Sequence, residues 1–213
     1  MSQGKNINNI NSKDKDNNQF LQEFIDANAI LQGHFILSSG LHSNIYMQCA
    51  RVLMNPARSQ RLCKALANKI IEKLGNNFCD IVLSPAMGGV VVGYELAKQL
   101  NYESIFCERV NGVFELRRGF ELQKGARVIV VEDVITTGKS SLETFDLVNQ
   151  LGGVVVAEAC LVDRSANKNL TEELKVPVIS LIEIEVRTFE GNNVPDDLKN
   201  IPAVKPGSRF LKK

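Results

Sequence analysis

Five short segments dense in valine and isoleucine recur between residues 79 and 184, and helical or loop-like stretches separate the first four. In chain order they read CDIVLSP, YESIFCE, ARVIVVED, VVVAEACLVD and PVISLIEI. Strands that are apolar at nearly every position are typical of a parallel sheet that helices cover on both faces. The pattern therefore predicts an α/β domain with a central, mostly parallel sheet of about five strands flanked by helices.

Helical spacing dominates the chain before these strands. Apolar residues recur at helical intervals from Phe20 to Ile30, which predicts a short amphipathic helix. The next stretch, GHFILSSGLHSNIYMQCA, predicts two short strands around a turn. A second helix is predicted from Pro56 to Leu74, with Gly75 as its stop.

The first 18 residues, MSQGKNINNINSKDKDNN, are rich in asparagine, lysine, aspartate and serine. Such a composition predicts a disordered extension, followed by a single domain over residues 19–213. The extension lacks the apolar core of a secretory signal, and no stretch reaches about 18 unbroken apolar residues. We therefore expect a cytoplasmic protein with no membrane partner.

Charge and cysteine usage exclude several classes of function. Twenty-five Lys and Arg residues nearly balance 24 Asp and Glu, a net charge of +1, which argues against a nucleic-acid partner. The five cysteines form no C-x-x-C pair and are predicted to be reduced core thiols: Cys49, Cys63, Cys79, Cys107 and Cys160. Only His34 and His42 could assist a nucleophilic cysteine or a zinc site, which disfavours both.

The segment RVIVVEDVITTGKSSLETFDLVNQL, residues 127–151, joins a strand to a helix through a turn rich in threonine, glycine and serine. Apolar residues recur at every third position from Leu142 to Leu151, so Thr136 to Ser141 should lie at a helix N-terminus. Free backbone N–H groups and the helix dipole make such a turn a phosphate cradle.

Two better-known phosphate motifs do not fit. A P-loop needs a glycine five residues before the G-K-S, where this chain has Asp133. The run GGVVVG has Val90 where a dinucleotide-binding loop needs its second glycine.

Glu132 and Asp133 end the strand just before the predicted cradle, at the edge where open α/β sheets bind ligands. Carboxylates there can accept hydrogen bonds from vicinal ribose hydroxyls while the turn holds a phosphate on the same sugar. Two acids and a Thr/Ser turn also cap ordinary surface helices. The residues alone leave both interpretations open.

VVEDVITTGKS resembles the phosphoribosyl pyrophosphate signature of type I phosphoribosyltransferases. Further segments resemble the orotate phosphoribosyltransferases in particular: GHFILSSGLHSNIYMQ, SPAMGG, ERVNGVFELRRGF, VDRS and KPGSR. The resemblance spans essentially everything after residue 18. It implies a type I phosphoribosyltransferase fold with a small hood, built from about residues 19–55 and the C-terminal segment.

The resemblance also implies a reaction. Orotate and phosphoribosyl pyrophosphate would give orotidine 5′-monophosphate and pyrophosphate, a step of pyrimidine biosynthesis, with Mg²⁺ held mainly by the substrate and by no protein side chain directly. Partners would be these two small molecules and a second subunit, since a mobile loop reaches the neighbouring site in the homodimers of this family. A phosphoribosyltransferase for another base and a phosphoribosyl-pyrophosphate-sensing regulator remain alternatives.

Site residues follow by matching the motifs. The expected catalytic residues are Asp133, Arg109, Arg117 and Arg118. Phosphoribosyl pyrophosphate is expected to contact Glu132, Asp133, Val134, Ile135, Thr136, Thr137, Gly138, Lys139 and Ser140, with Met87, Gly88 and Gly89 forming a pyrophosphate loop that carries a cis Ala86–Met87 peptide. Orotate is expected to contact Thr136, Arg164, Ser39, Gly40 and Tyr46, with Ser38 beside them.

This chain departs from better-studied relatives at two of these places. Ser38 stands where many have a lysine, and the loop carries arginines instead of lysines and a histidine. The resemblance therefore does not decide which of the three loop arginines is the main catalytic cation.

Overall fold

The computed structural model describes residues 15–37, 40–165 and 170–206. Its helices are α1 (Lys15–Asp26), α2 (Cys49–Leu53), α3 (Pro56–Leu74), α4 (Gly88–Leu100), α5 (Lys139–Gln150), α6 (Leu170–Leu174) and α7 (Asp196–Lys199). Its strands are β1 (Ile30–Ile36), β2 (His42–Met47), β3 (Ile81–Pro85), β4 (Glu103–Val110), β5 (Val113–Leu116), β6 (Arg127–Ile135), β7 (Val154–Asp163), β8 (Val178–Glu183) and β9 (Thr188–Phe189).

The main sheet has six strands in the order β5-β4-β3-β6-β7-β8. Strands β4, β3, β6, β7 and β8 are parallel to one another, and β5 pairs antiparallel with β4. The five parallel strands are the five valine- and isoleucine-rich segments, so the predicted α/β architecture is confirmed.

Both faces of this sheet are buried, which explains why its strands show no polar alternation. One core cluster packs α3 and α4 against residues of β6 and β7 that include Ile129, Val131, Ala157, Ala159 and Leu161. The other cluster packs α5 against residues of the same strands that include Val128, Val130 and Cys160. Successive side chains of a strand point to opposite faces, so each face needs its own apolar set.

A second, three-stranded sheet in the order β1-β2-β9 forms the hood. The predicted pair of strands is β1 and β2, which are antiparallel. The C-terminal segment contributes β9 and a bridge between Val204 and Phe35. The hood therefore combines the two ends of the chain, as expected.

Element boundaries differ from the prediction at the N-terminus. Helix α1 begins at Lys15, inside the segment expected to be disordered, whereas residues 1–14 lie outside the described residues. The helix ends at Asp26 and not at Ile30, because Ile30 pairs with Met47 at the start of β1. The short helix α2 was not predicted.

The segment 108–120, expected to be a loop, is largely a β-hairpin. Strands β4 and β5 pair from Cys107–Leu116 to Val110–Val113. Asn111 and Gly112 form the turn, with φ angles of 51° and 91°. Two positive φ angles match the Asn-Gly hairpin turn, a local signal that the prediction overlooked.

All five cysteines are buried free thiols, as predicted. Burial raises the pKa of each one, which disfavours the nucleophilic thiolate. Among the described residues, no helix combines the length and the apolar run that a membrane-spanning segment requires.

Candidate active site

A cleft of about 570 Å³ opens at the carboxyl end of β6, between the main sheet and the hood. Its floor is the run from Glu132 to Ser140. Arg109 lines it from the hairpin, Arg164 from the segment after β7, and Tyr46 from the hood. The volume lies in the range that small-molecule sites of enzymes occupy.

The turn between β6 and α5 lines the cleft with Thr136, Thr137, Gly138, Lys139 and Ser140. Gly138 caps α5 in the left-handed conformation, with φ of 68°. Because α5 starts at Lys139, its unpaired N–H groups and the positive end of its dipole face this turn. The arrangement can bind a phosphate group.

Glu132 and Asp133 point to opposite faces of the sheet end. Asp133 lies on the α4 side, where a methyl group at Gly88 would come within 2.7 Å of both of its carboxylate oxygens. Only glycine allows this approach at the start of α4. The backbone N–H of Val134 donates to Asp133 Oδ1 at 3.0 Å, and burial raises the pKa of Asp133.

Glu132 lies on the α5 side of the same strand. The Ser141 hydroxyl donates a hydrogen bond of 2.6 Å to Glu132 Oε1. Burial raises the pKa of Glu132 to about 7, and the Asp133 charge adds to the effect while Ser141 opposes it. The Glu132 charge is therefore sensitive to its hydrogen-bond partner near neutral pH.

The peptide bond Ala86–Met87 is cis, as the resemblance implied. Gly88 begins α4, and a methyl group at Gly89 would come within 2.9 Å of the Val131 carbonyl oxygen. Both glycines therefore let β6 and the start of α4 pack closely. Met87 is exposed, and the cleft formed by the described residues is lined by none of the three predicted loop residues Met87, Gly88 and Gly89.

Arg164 is 5% exposed and lines the cleft directly after β7, where its backbone N–H donates to the Ile135 carbonyl oxygen at 3.0 Å. Its Nη2 donates to Ser43 Oγ at 3.2 Å and to the Ile45 carbonyl oxygen at 3.3 Å. Burial lowers the pKa of Arg164, and no carboxylate of the described residues forms an ion pair with it. A buried cation without a counter-ion is suited to an anionic ligand.

Tyr46 and Gly40 were also predicted to contact orotate, and only Tyr46 is among the residues that line the cleft. Burial raises the pKa of Tyr46. Gly40 is exposed and is not among the lining residues. Ser38 and Ser39 lie outside the described residues. Ser43, which the prediction missed, is fully buried beside Arg164; its place in the alternating pattern of β2 was the available signal.

The three arginines of the hairpin separate into two groups. Arg109 lines the cleft, contacts the Glu143 carboxylate and lies 4.0 Å above the Phe114 ring. Arg118 is exposed and donates to both carboxylate oxygens of Glu108, at 2.8 and 2.9 Å. Arg117 is also exposed, and neither Arg117 nor Arg118 lines the cleft of this subunit.

Glu143 was not predicted to belong to the site. It lines the cleft from the first turn and a half of α5 and contacts Arg109, with Lys139 at 3.9 Å. Its position four residues after Lys139 is an ordinary helical spacing, which carries no sign of a site.

Comparison with known proteins places residues 51–196 in the phosphoribosyl transferase domain family. An orotate phosphoribosyltransferase of Rhizorhabdus wittichii is 54% identical over 191 residues, which cover 90% of this chain and 95% of that protein.

Solved structures share the fold. An orotate phosphoribosyltransferase of Aeropyrum pernix superposes with a TM-score of 0.64 at 26% identity, over 77% of this chain and 93% of that one. An adenine phosphoribosyltransferase of Saccharomyces cerevisiae superposes with a TM-score of 0.62 at 22% identity, over 77% and 99%. Because enzymes for two different bases match equally well, the fold does not identify the base.

Proposed function

This chain belongs to the phosphoribosyl transferase domain family, among the orotate phosphoribosyltransferases, and from that premise we propose how its cleft performs the reaction. Orotate and phosphoribosyl pyrophosphate react to give orotidine 5′-monophosphate and pyrophosphate. The observation that carries the choice of base is the buried Arg164, which lacks a carboxylate partner among the described residues.

The donor binds along the carboxyl end of β6. Thr136 to Ser140 hold its 5′-phosphate, since they form the turn before α5. Glu132 and Asp133 accept hydrogen bonds from the ribose hydroxyls. The C1′–oxygen bond to pyrophosphate breaks with its electron pair leaving on pyrophosphate. A ring nitrogen of orotate bonds to C1′ and gives up its proton to the departing pyrophosphate or to water. The protein then accelerates the reaction by positioning the two substrates and by stabilising the negative charge that develops on pyrophosphate.

The orotate site adjoins the donor site at Thr136 and contains Arg164. The carboxylate of orotate pairs with the Arg164 guanidinium, and Tyr46 and Thr136 line the adjoining wall of the cleft. Uracil lacks the carboxylate and would leave the buried cation unpaired, which costs more than a lost surface contact. The same argument disfavours adenine and hypoxanthine.

The side chains fit a magnesium ion that arrives with the substrate. No group of three or more His, Cys, Asp and Glu residues in the described parts of the chain could hold a metal ion by itself. Mg²⁺ usually binds through substrate phosphates, so an ion carried by phosphoribosyl pyrophosphate needs no protein side chain as a direct ligand. Bound to the substrate, the ion would neutralise charge that develops on pyrophosphate.

An assay of the purified protein tests this function. With phosphoribosyl pyrophosphate and Mg²⁺, we expect consumption of orotate and release of pyrophosphate, and no product from uracil, adenine or hypoxanthine. Activity on another base would retain the phosphoribosyl transfer and overturn the base assignment. Inactivity on all four would favour a protein that senses phosphoribosyl pyrophosphate.

The proposal includes a homodimer in which hairpins are exchanged, in the cytoplasm. Exposed apolar side chains, Met87, Val91 and Tyr94, share one face of α4, and Met54 follows the neighbouring α2. Such a patch is typical of subunit interfaces. Arg117 and Arg118 are exposed and do not line the cleft of their own subunit, so a neighbouring subunit can reach them. The five unpaired thiols suit a reducing compartment.

Mixing two inactive variants tests the exchange. One variant carries Arg117→Ala and Arg118→Ala, and the other carries Asp133→Asn. In a mixed dimer, the subunit with Asp133→Asn supplies an intact hairpin. That hairpin completes the site of the subunit with Arg117→Ala and Arg118→Ala, whose Asp133 is intact. With random exchange about a quarter of the sites are restored, since half the dimers are mixed and each has one intact site. No recovery after mass spectrometry has verified subunit exchange would contradict hairpin exchange.

A further inference from the structure

A fully buried carboxyl group, Glu158, lies in the middle of β7 and outside the cleft lining. Glu158 pairs with Val130 of β6, two residues before Glu132, and Cys160 pairs with Glu132. Glu158 and Glu132 therefore point to the same face of the sheet, which α5 covers. Ser141, in the first turn of α5, lies between the two carboxyl groups.

The hydrogen atoms in this cluster can be counted. Ser141 Oγ is 2.6 Å from Glu132 Oε1 and 3.3 Å from Glu158 Oε1, and a serine hydroxyl has one hydrogen to donate. When Glu132 is ionised, the shorter contact takes that hydrogen. The longer contact is then a hydrogen bond only if Glu158 carries a proton and donates it to Ser141.

The surroundings of Glu158 agree with a neutral acid. Its Oε2 is buried and has no hydrogen-bond partner, and the described residues provide no ion pair to it. An ionised carboxylate in that place would have neither water nor a counter-ion. Burial raises the pKa of Glu158 well above its usual value, and the nearby Glu132 charge adds to the effect.

We propose that Glu158 is a positioning residue: it stays protonated, directs the Ser141 hydroxyl at Glu132, and so fixes that carboxylate for the ribose hydroxyls of phosphoribosyl pyrophosphate. The inference rests on the proposed function for the identity of the donor. The proton at Glu158 itself does not depend on it.

Other titratable groups also lie near Glu132 and affect its pKa. They are Asp133 on the same strand, Glu158 and Cys160 on β7, Glu143 on α5, and Arg109 and Cys107 on β4. Among these groups, only Glu158 contacts the Ser141 hydroxyl that donates to the Glu132 carboxylate. Losing the Ser141 hydrogen bond raises the Glu132 pKa above about 7, because that bond stabilises the ionised form. Glu132 would then be protonated at neutral pH.

Three variants distinguish a positioning role of Glu158 from a role in packing alone. Glu158→Leu removes the proton donor and keeps a side chain of similar size, Glu158→Gln keeps a donor to Ser141, and Ser141→Ala removes the bridge. For Glu158→Leu we expect the KM for phosphoribosyl pyrophosphate to rise about tenfold, with the KM for orotate changing less than about twofold. The acid limb of kcat/KM for the donor should move to higher pH. Glu158→Gln should behave as the wild type.

Ser141→Ala should show at least the loss of Glu158→Leu, and the double variant should add nothing beyond Ser141→Ala, since Glu158 acts on Glu132 only through Ser141. Thermal unfolding should show Glu158→Leu at least as stable as the wild type, because an apolar side chain replaces a buried unpaired polar group. Equal losses for both substrates that track a lower Tm, or kinetics unchanged in Glu158→Leu, would overturn the positioning role.

An infrared measurement tests the proton at Glu158 independently of the activity assay. With ¹³C-labelled glutamate, the wild type at neutral pH should show a protonated-carboxyl C=O band that Glu158→Gln removes. The band's presence in a protein that does not consume orotate would overturn only the proposed function. Its absence in an active enzyme would overturn the proton at Glu158.

Discussion

Replacing Asp133 by asparagine is expected to lower kcat at least about tenfold, equivalent to about 1.4 kcal/mol of transition-state stabilisation. Asparagine keeps the shape that fits against Gly88 and removes only the negative charge. The ribose hydroxyls then lose a charged acceptor at the moment when positive charge develops on the sugar. Steady-state kinetics with both substrates measure the effect.

The matched control for this variant is Asp146→Asn on α5. Asp146 is exposed, so its replacement removes the same charge outside the cleft. We expect wild-type kinetics from it. If Asp133→Asn also retained wild-type kinetics while folded, Asp133 would have no place in the catalytic site.

Replacing Arg164 by alanine is expected to raise the KM for orotate by about 10- to 100-fold, because a hydrogen-bonded charge pair is worth roughly 1.5–3 kcal/mol. The KM for phosphoribosyl pyrophosphate should change far less, since the Arg164 guanidinium donates its hydrogen bonds to Ser43 and Ile45 of the hood. Arg51→Ala, which removes an exposed arginine from α2, serves as the control for charge.

Two outcomes would count against the role of Arg164. An equal rise in both Michaelis constants would mean that the variant disturbs the whole cleft. An unchanged KM for orotate would mean that the base binds elsewhere. The Tm of the variant separates a local loss of binding from loss of the fold, since Arg164 also holds Ser43 and the Ile45 carbonyl group in the hood.

The local arrangement of the phosphate site followed from sequence. The strand β6, its two acids, the turn from Thr136 to Ser140 and helix α5 are consecutive, so periodicity and turn chemistry predict them together. The five parallel strands were equally clear, because burial on both faces leaves continuous apolar segments that no surface strand shows.

For residues 108–120 the sequence favoured a mobile loop, with a solvated hairpin as the alternative. Asn111 and Gly112 are a strong turn pair, but the arginines and glycines around them favoured a loop. Only strand pairing shows that Arg109 faces the cleft of its own subunit while Arg118 is turned to Glu108.

The contacts that give the cleft its chemistry were decided by tertiary structure. Ser43 reaches Arg164 across 121 positions, and the Asp133 carboxylate lies against Gly88 from another strand-to-helix turn. Glu158 reads in the sequence as one polar residue in an apolar strand. Sequence spacing defines neighbours only within one helix or strand, because chain distance carries no information on which elements pack together. The sequence by itself therefore determined the elements and the turn before α5, whereas packing alone determined the burial of Arg164 in the cleft and the position of Glu158 beside Ser141.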